Sequence, residues 1–254
     1  MTDEELSALE RLIRDREFWR KYDLDYKTES LVFDRRTLQA LYDLMHRNSV
    51  PYIDFPISSG KESVVFKAYM SGKPVAIKVF KMTTLKFHRI WEYIEGGDQR
   101  FAKERIDRSR YVYIWCRKEY TNLSEMQRAG GVRAPRPIDF ERNVMMMSYL
   151  GTKQRPAPQI RNYEGARDLF GEVVEQLVAM YKKAKLVHAD LSEYNILVHR
   201  RKPYFIDVAQ AVRATHPSAE DFLRRDVHNV CTFFRKQGVD ADPAEVLSQL
   251  GISS

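Results

Sequence analysis

The chain has 254 residues, 44% hydrophobic and 30% charged, a globular composition rather than a disordered or fibrous one. Apolar runs such as Val144 to Met147 fall far short of the ~20 residues a membrane span needs, and the acidic start Met1-Thr2-Asp3-Glu4-Glu5 has no signal-peptide h-region. Two cysteines, Cys116 and Cys231, argue against a disulfide framework and a cysteine-based zinc site, while a net charge of +7 suggests an anionic partner.

Leu6, Leu9, Leu12 and Ile13 keep a helical period, and Leu38, Leu41, Tyr42 and Met45 recur at i, i+3, i+4 and i+7, so two helices open the chain. From Tyr52 the period changes. The run Val64-Val65-Phe66, the turn Ser71-Gly72-Lys73-Pro74 and a strand over 75–80 predict a hairpin. Residues 83–110 have weak periodicity, a Gly96-Gly97 pair and dense charge, and read as a long loop. The window from Lys81 to Lys118 holds ten Lys/Arg and five Asp/Glu, a net of +5, fitting either a solvated face or a docking surface for RNA. Residues 111–129 read as a helix stopped by Gly130-Gly131. Pro135 and Pro137 precede a strand over 144–149. Leu169, Phe170, Val173, Val174, Leu177, Val178 and Tyr181 mark a helix, residues 203–208 a short strand. Residues 219–236 form a helix with Phe222, Leu223, Val227, Val230 and Phe234 on one face.

The densest chemistry is His188-Ala189-Asp190-Leu191-Ser192-Glu193-Tyr194-Asn195. Twelve residues after Asn195 stands Asp207, in Phe205-Ile206-Asp207, and far upstream lies Val75-Ala76-Ile77-Lys78. Protein kinases carry a strand lysine, an H-x-D-L-x-x-x-N loop and a metal-binding aspartate in this order. A lysine on a rigid strand neutralises the α- and β-phosphates of ATP. In the apolar run around Lys78 it needs a carboxylate partner. Glu119 is the candidate, because it shares a helical stripe with Tyr111, Trp115, Leu123 and Met126. Asn195 and Asp207 offer oxygen ligands to a hard cation such as Mg²⁺. Asp190 orients a nucleophile and accepts its proton. His188 holds the loop through hydrogen bonds and is assigned no proton transfer.

A standard kinase covers the phosphates with G-x-G-x-x-G. Here Ile57-Ser58-Ser59-Gly60-Lys61-Glu62-Ser63 has one glycine, so the Ser58 and Ser63 hydroxyls and Lys61 must do more. The string is not a Walker A loop. Ala189 replaces the usual arginine before the catalytic aspartate, Val208-Ala209 follows Asp207, and no Ala-Pro-Glu appears. Only about ten residues separate Asp207 from the last strong helix, too few for the activation segment and peptide-docking region of ordinary kinases.

These departures resemble the RIO atypical serine/threonine protein kinases. The family pattern S-T-G-K-E-A/S appears as Ser58-Ser59-Gly60-Lys61-Glu62-Ser63, with serine for threonine at 59. The family's catalytic loop appears as Leu186 to Asn195, I-D-x-x-Q as Ile206-Asp207-Val208-Ala209-Gln210, and R-D-x-x-N-I as Arg225-Asp226-Val227-His228-Asn229-Val230. The short helical start looks like the first RIO subfamily, which lacks a winged-helix domain. The resemblance implies an α+β, bilobal kinase-like fold with a trimmed C-lobe and extra N-terminal helices. The expected division is 1–50 as helical extension, 51–150 as N-lobe with the Glu119 helix, and 151–254 as reduced C-lobe. It implies ATP with Mg²⁺ or Mn²⁺. Nucleotide contacts fall to Ile57, Ser58, Lys61, Glu62, Ser63, Lys78 and Glu119, with Ser148 C=O and Leu150 N–H at the adenine. The metal falls to Asn195 and Asp207. Ser148 stands where related members often carry a hinge glutamate, and the adenine contacts there use backbone groups. It implies serine kinase or ATPase activity in small ribosomal subunit maturation, with Asp190 as proton acceptor and Asp207 as candidate aspartyl-phosphate. The implied partners are the pre-small ribosomal subunit and its RNA, met by a cytoplasmic monomer without a membrane. Thr83, Thr84 and Ser109 are candidate autophosphorylation sites. A small-molecule phosphotransferase is disfavoured by the S-S-G-K-E-S loop. A non-catalytic RNA-binding scaffold is disfavoured by the intact lysine, base and metal ligands.

Overall fold

The computed structural model describes residues 7, 33–82, 100 and 108–252. The expected first helix at Leu6, Leu9, Leu12 and Ile13 and the loop residues Thr83 and Thr84 lie outside them, and Ser109 is described by its backbone alone. The chain divides into two compact units. One comprises Met1–Lys86, Ile106–Tyr120 and Pro137–Tyr149, the other Phe87–Arg105, Thr121–Arg136 and Leu150–Ser254.

In the first unit, helix α1 (Arg35–Arg47) starts where Asp34 Oδ1 accepts the Thr37 N–H at 2.7 Å. Leu38, Leu41, Leu44 and Met45 are buried along the expected stripe, with Tyr42 at its margin. The sheet has strands β1 (Ile53–Ser59), β2 (Ser63–Met70), β3 (Lys73–Phe80), β4 (Pro137–Glu141) and β5 (Val144–Ser148), in the antiparallel order β1-β2-β3-β5-β4. The β2–β3 hairpin forms where expected. Its two loop residues, Ser71 and Gly72, have φ of 50° and 74°, the left-handed pair that matches strand twist. Central β3 is buried from Val75 to Phe80, which is why its sequence runs apolar instead of alternating. Leu41, Leu44, Phe66, Ile77, Val79 and Met146 form the core between helix and sheet. Strand β4 escapes sequence reading because it opens on proline and carries Asp139 and Glu141, as edge strands do. Its two acids hold Arg47 at 2.8 and 3.1 Å.

Helix α2 (Arg108–Ala129) begins three residues before the expected start and runs through both units. It ends at Gly130 and Gly131, with φ of 69° and 82°. The second unit adds α3 (Phe170–Lys182), the strand pair β6 (Leu186–Val187) with β9 (Val212–Arg213), the hairpin β7 (Ile196–His199) with β8 (Lys202–Phe205), α4 (Ala219–Lys236) and α5 (Pro243–Leu250). The strand expected over 203–208 stops at Phe205, because Asp207 turns left-handed (φ 58°) and Val208–Gln210 winds into a single 3₁₀ turn. Helix α5 adds to the expected elements, and its signals are local: Asp242 caps it, Pro243 occupies its first turn and Gly251 closes it at φ 82°.

Candidate active site

Lys78 sits mid-strand on β3, facing Glu119 of α2. Its Nζ lies 2.8 and 2.6 Å from the two carboxylate oxygens, and the side chains are 3% and 2% exposed. At that burial neither charge is solvated, so each depends on the other. Burial also pushes the thiol of neighbouring Cys116 up and keeps it protonated. Around the β1–β2 turn, Ser58 near the end of β1 and Lys61 and Glu62 in the turn are exposed, while Ile57 of β1 and Ser63, which opens β2, are half-buried. The Gly60 N–H donates to Ser63 O at 2.9 Å. A Cβ at Gly60 meets only that oxygen, at 3.8 Å, so the fold itself has no need of glycine there. Ser148 ends β5 opposite Val75, and Leu150 O accepts the Ala157 N–H at 3.0 Å.

In the second unit, the connection from β6 to β7 carries Asp190 and Asn195. Ala189 holds φ 65°, a left-handed conformation that costs an L-residue roughly 1–2 kcal/mol. Helix α4 fixes it there. Asp226 accepts the Ala189 and Leu191 N–H groups at 2.8 Å each, Arg225 donates to Ala189 O, and Asn229 donates to Leu191 O at 3.2 Å. This leaves Asp190 exposed on a loop whose backbone is tied on both sides. Asn195 Nδ2 donates to Asp190 O at 2.7 Å and to Asp190 Oδ2 at 3.1 Å. The Ile206 N–H donates to Asn195 O at 3.0 Å, which sets Asp207 beside the same loop. His188, fully buried, donates from Nε2 to Ile206 O at 3.0 Å and so ties the two loops together. Among the described residues there is no cluster of three or more His, Cys, Asp or Glu able to hold a metal alone. An amide oxygen and one carboxylate fit a hard cation that keeps waters and arrives with phosphates.

A family model described as the RIO domain matches residues 64–246. The chain belongs to the RIO family of atypical serine/threonine-protein kinases. The RIO chain is 52% identical over 183 residues to the RIO-type serine/threonine-protein kinase Rio1 of Thermoplasma acidophilum, covering 72% of this chain and 96% of that one. It is 40% identical over 251 residues to the Rio1 kinase of Haloferax volcanii, covering 95% and 85%. These relatives place it on the Rio1-like branch. Among solved structures, it resembles the Rio2 kinase–ADP/Mg²⁺–phosphoaspartate complex from Chaetomium thermophilum. The TM-score is 0.60 at 21% identity, over 85% of this chain and 66% of that one. The fold is therefore the bilobal, kinase-like α+β fold.

In the sequence of this RIO chain, Arg225-Asp226-Val227-His228-Asn229 stands out only as a family pattern with no task attached. The available signal was an aspartate within the buried face of α4, flanked by Leu223, Val227 and Val230. A buried acid there needs donors. Asn122 was missed outright. It is fully buried on α2, and its Nδ2 donates to Val208 O at 2.8 Å and Ala211 O at 3.2 Å, just past Asp207.

The loop's two buried ionisable groups give opposite pH responses. Burial pushes the Asp226 carboxyl up from 3.8 to about 7, against the pull of two N–H donors and Arg225. Burial pushes the His188 imidazole down from 6.5 to about 4. Between pH 4 and 7 the folded state keeps a proton on Asp226 that the unfolded state releases, so this contribution falls as pH rises. Between pH 6.5 and 4 the unfolded state protonates His188 while the folded state resists, so that contribution falls as pH falls. Urea unfolding across pH 4–8 is therefore expected to give mirror-image variants. Asp226→Asn gains on wild type as pH rises, and His188→Gln gains on it as pH falls. Parallel pH profiles for both would show that neither group is buried as described.

Proposed function

We propose that this RIO chain is an ATP-dependent serine kinase and ATPase that acts, as a cytoplasmic monomer, on the maturing small ribosomal subunit and its RNA. The observation that carries the catalytic reading is the buried Lys78–Glu119 pair. Such a pair poises an ammonium to take the α- and β-phosphates of ATP. Ile57, Ser58, Lys61, Glu62 and Ser63 surround the triphosphate, and the room at Gly60 lets it approach the backbone. Ser148 C=O and Leu150 N–H take the adenine. Asn195 and Asp207 would hold Mg²⁺, or Mn²⁺ in its place, and the cation would supply positive charge against the phosphates. In the kinase reaction Asp190 takes the proton of a serine hydroxyl, the serine oxygen bonds to the γ-phosphorus, and the bond to ADP breaks. The division into 1–50, 51–150 and 151–254 accompanies this reading. No helix among the described residues is long and apolar enough to cross a membrane, and Cys116 and Cys231 are buried free thiols.

An RNA partner is supported by the net charge of +7 and by the β7–β8 hairpin tip. There Arg200, Arg201 and Lys202 are exposed, and their side chains have no ion pair among the described residues. Arg200 and Arg201 take φ of 52° and 61°, a turn that ordinarily selects asparagine and glycine. The test supplies γ-labelled ATP with and without pre-ribosomal particles and follows phosphate release, labelled protein and particle binding. Binding is expected to weaken as salt rises. Arg200→Glu with Arg201→Glu should weaken it about tenfold, with turnover in the absence of particles unchanged. Binding indifferent to both salt and charge reversal would remove RNA from the reading.

A further inference from the structure

We propose that Arg100 is a positioning residue for the loop that follows Asp207, and that it thereby supports metal-dependent nucleotide binding. The inference rests on the reading that Asp207 ligates the cation. Asn122 has no exposure, and both its amide hydrogens are committed to carbonyls of the 3₁₀ turn, Val208 O and Ala211 O. A flipped amide would set Oδ1 against those two oxygens, so the orientation is fixed. The remaining buried acceptor, Asn122 Oδ1, receives Arg100 NH2 at 3.0 Å. The same guanidinium reaches Glu125 Oε2 through NH1 at 3.1 Å. Glu125 Oε1 in turn holds Arg213, on β9, at 2.7 Å. The loop is thus gripped at Val208 and Ala211 by Asn122 and at Arg213 by Glu125, and one guanidinium braces both grips.

The exposures support more than a surface contact. Arg100 is 18% exposed and Glu125 13%, a regime where an ion pair is screened far less than in open water. Removing Arg100 leaves a buried amide oxygen without its donor, which is costlier than losing an exposed bond. The cheapest relief is for the Asn122 side chain to turn towards water, which releases Val208 and Ala211. Asp207 immediately precedes them in a left-handed conformation that needs support from its neighbours. Arg100 lies in the charged stretch between β3 and α2. A partner that draws it away would therefore loosen the metal loop, and by linkage a ligand that orders the loop would hold Arg100 more firmly.

The test uses the full chain with Arg100→Ala and Arg100→Lys, the second keeping the charge and one donor. Two quantities are read: ADP affinity as a function of Mg²⁺ concentration, and hydrogen exchange at the Ala211 amide, which closes the turn onto Val208 O at 3.1 Å. Arg100→Ala is expected to raise the half-saturating Mg²⁺ concentration about tenfold, to speed Ala211 exchange about tenfold, and to leave metal-free ADP affinity unchanged. Arg100→Lys should fall between. Mg²⁺ dependence within about twofold of wild type, or exchange that quickens equally in β3, overturns the proposal. If wild type binds ADP with no Mg²⁺ dependence, the metal reading of Asp207 fails instead, and Ala211 exchange alone decides whether Arg100 positions the loop.

Discussion

Lys78→Met is expected to lower ATP turnover on the order of a thousandfold and, at the same time, to destabilise the first unit by about 3–5 kcal/mol. The two losses have different origins. The first is the missing ammonium at the phosphates. The second is Glu119, left 2% exposed with its charge uncompensated. A simple dead variant would therefore be ambiguous, since a half-unfolded protein is also inactive. Lys78→Met combined with Glu119→Leu separates them. With both charges gone, the site becomes apolar beside Phe80, whose ring centre lies 4.8 Å from Lys78 Nζ, and Cys116, both buried, and most of the stability should return. Turnover should not return. Urea unfolding and phosphate release on the same preparations read both effects. Wild-type turnover in Lys78→Met would remove the phosphate-clamp role. A double variant no more stable than the single one would show that burial does not set the cost.

Part of this was legible from residues alone. An apolar run interrupted by one lysine, and a helical stripe interrupted by one glutamate, pointed to each other because burial forbids an unpaired charge. The structure joins them at hydrogen-bond distance. Helix α4 and the β2–β3 hairpin were legible because hydrophobic period and turn chemistry agree there. The supports of the catalytic loop were not. Nothing local in Ala189 announces a left-handed residue, and the donors that satisfy Asp226 are backbone groups more than thirty positions away. Asn122 is hidden for a similar reason. On a helix where Val112, Ile114, Cys116, Lys118 and Glu119 are all buried, no single polar face exists to mark it. Period counting finds stripes, and a helix buried nearly all round has none.

Labelled phosphate on Asp207 is the expected result when wild-type protein is trapped with γ-labelled ATP and Mg²⁺. The label should be released by hydroxylamine, as acyl phosphates are and serine esters are not. The expectation follows from the short stretch between Asp207 and helix α4, which leaves little room for a peptide-docking region and makes a nucleophile of the protein itself the expected acceptor. Asp207 is exposed, and its φ of 58° turns it out of strand β8. In the expected step one carboxylate oxygen bonds to the γ-phosphorus and ADP leaves with the electron pair. Water then attacks the acyl phosphate, its proton passes to Asp190, and the carboxylate is restored. Asn195 holds Asp190 for this second step through its amide, 2.7 and 3.1 Å from the Asp190 carbonyl and carboxylate oxygens. Asp190→Ala should therefore slow phosphate release about a hundredfold or more and let the label accumulate. Asp207→Asn should abolish the label. Because that change also removes a metal oxygen, its lost turnover decides nothing, whereas the accumulation in Asp190→Ala cannot arise from weaker metal binding. If neither wild type nor Asp190→Ala yields hydroxylamine-sensitive label while serine is phosphorylated readily, the aspartyl-phosphate step fails. Asp190 then serves only to take the proton of an incoming hydroxyl.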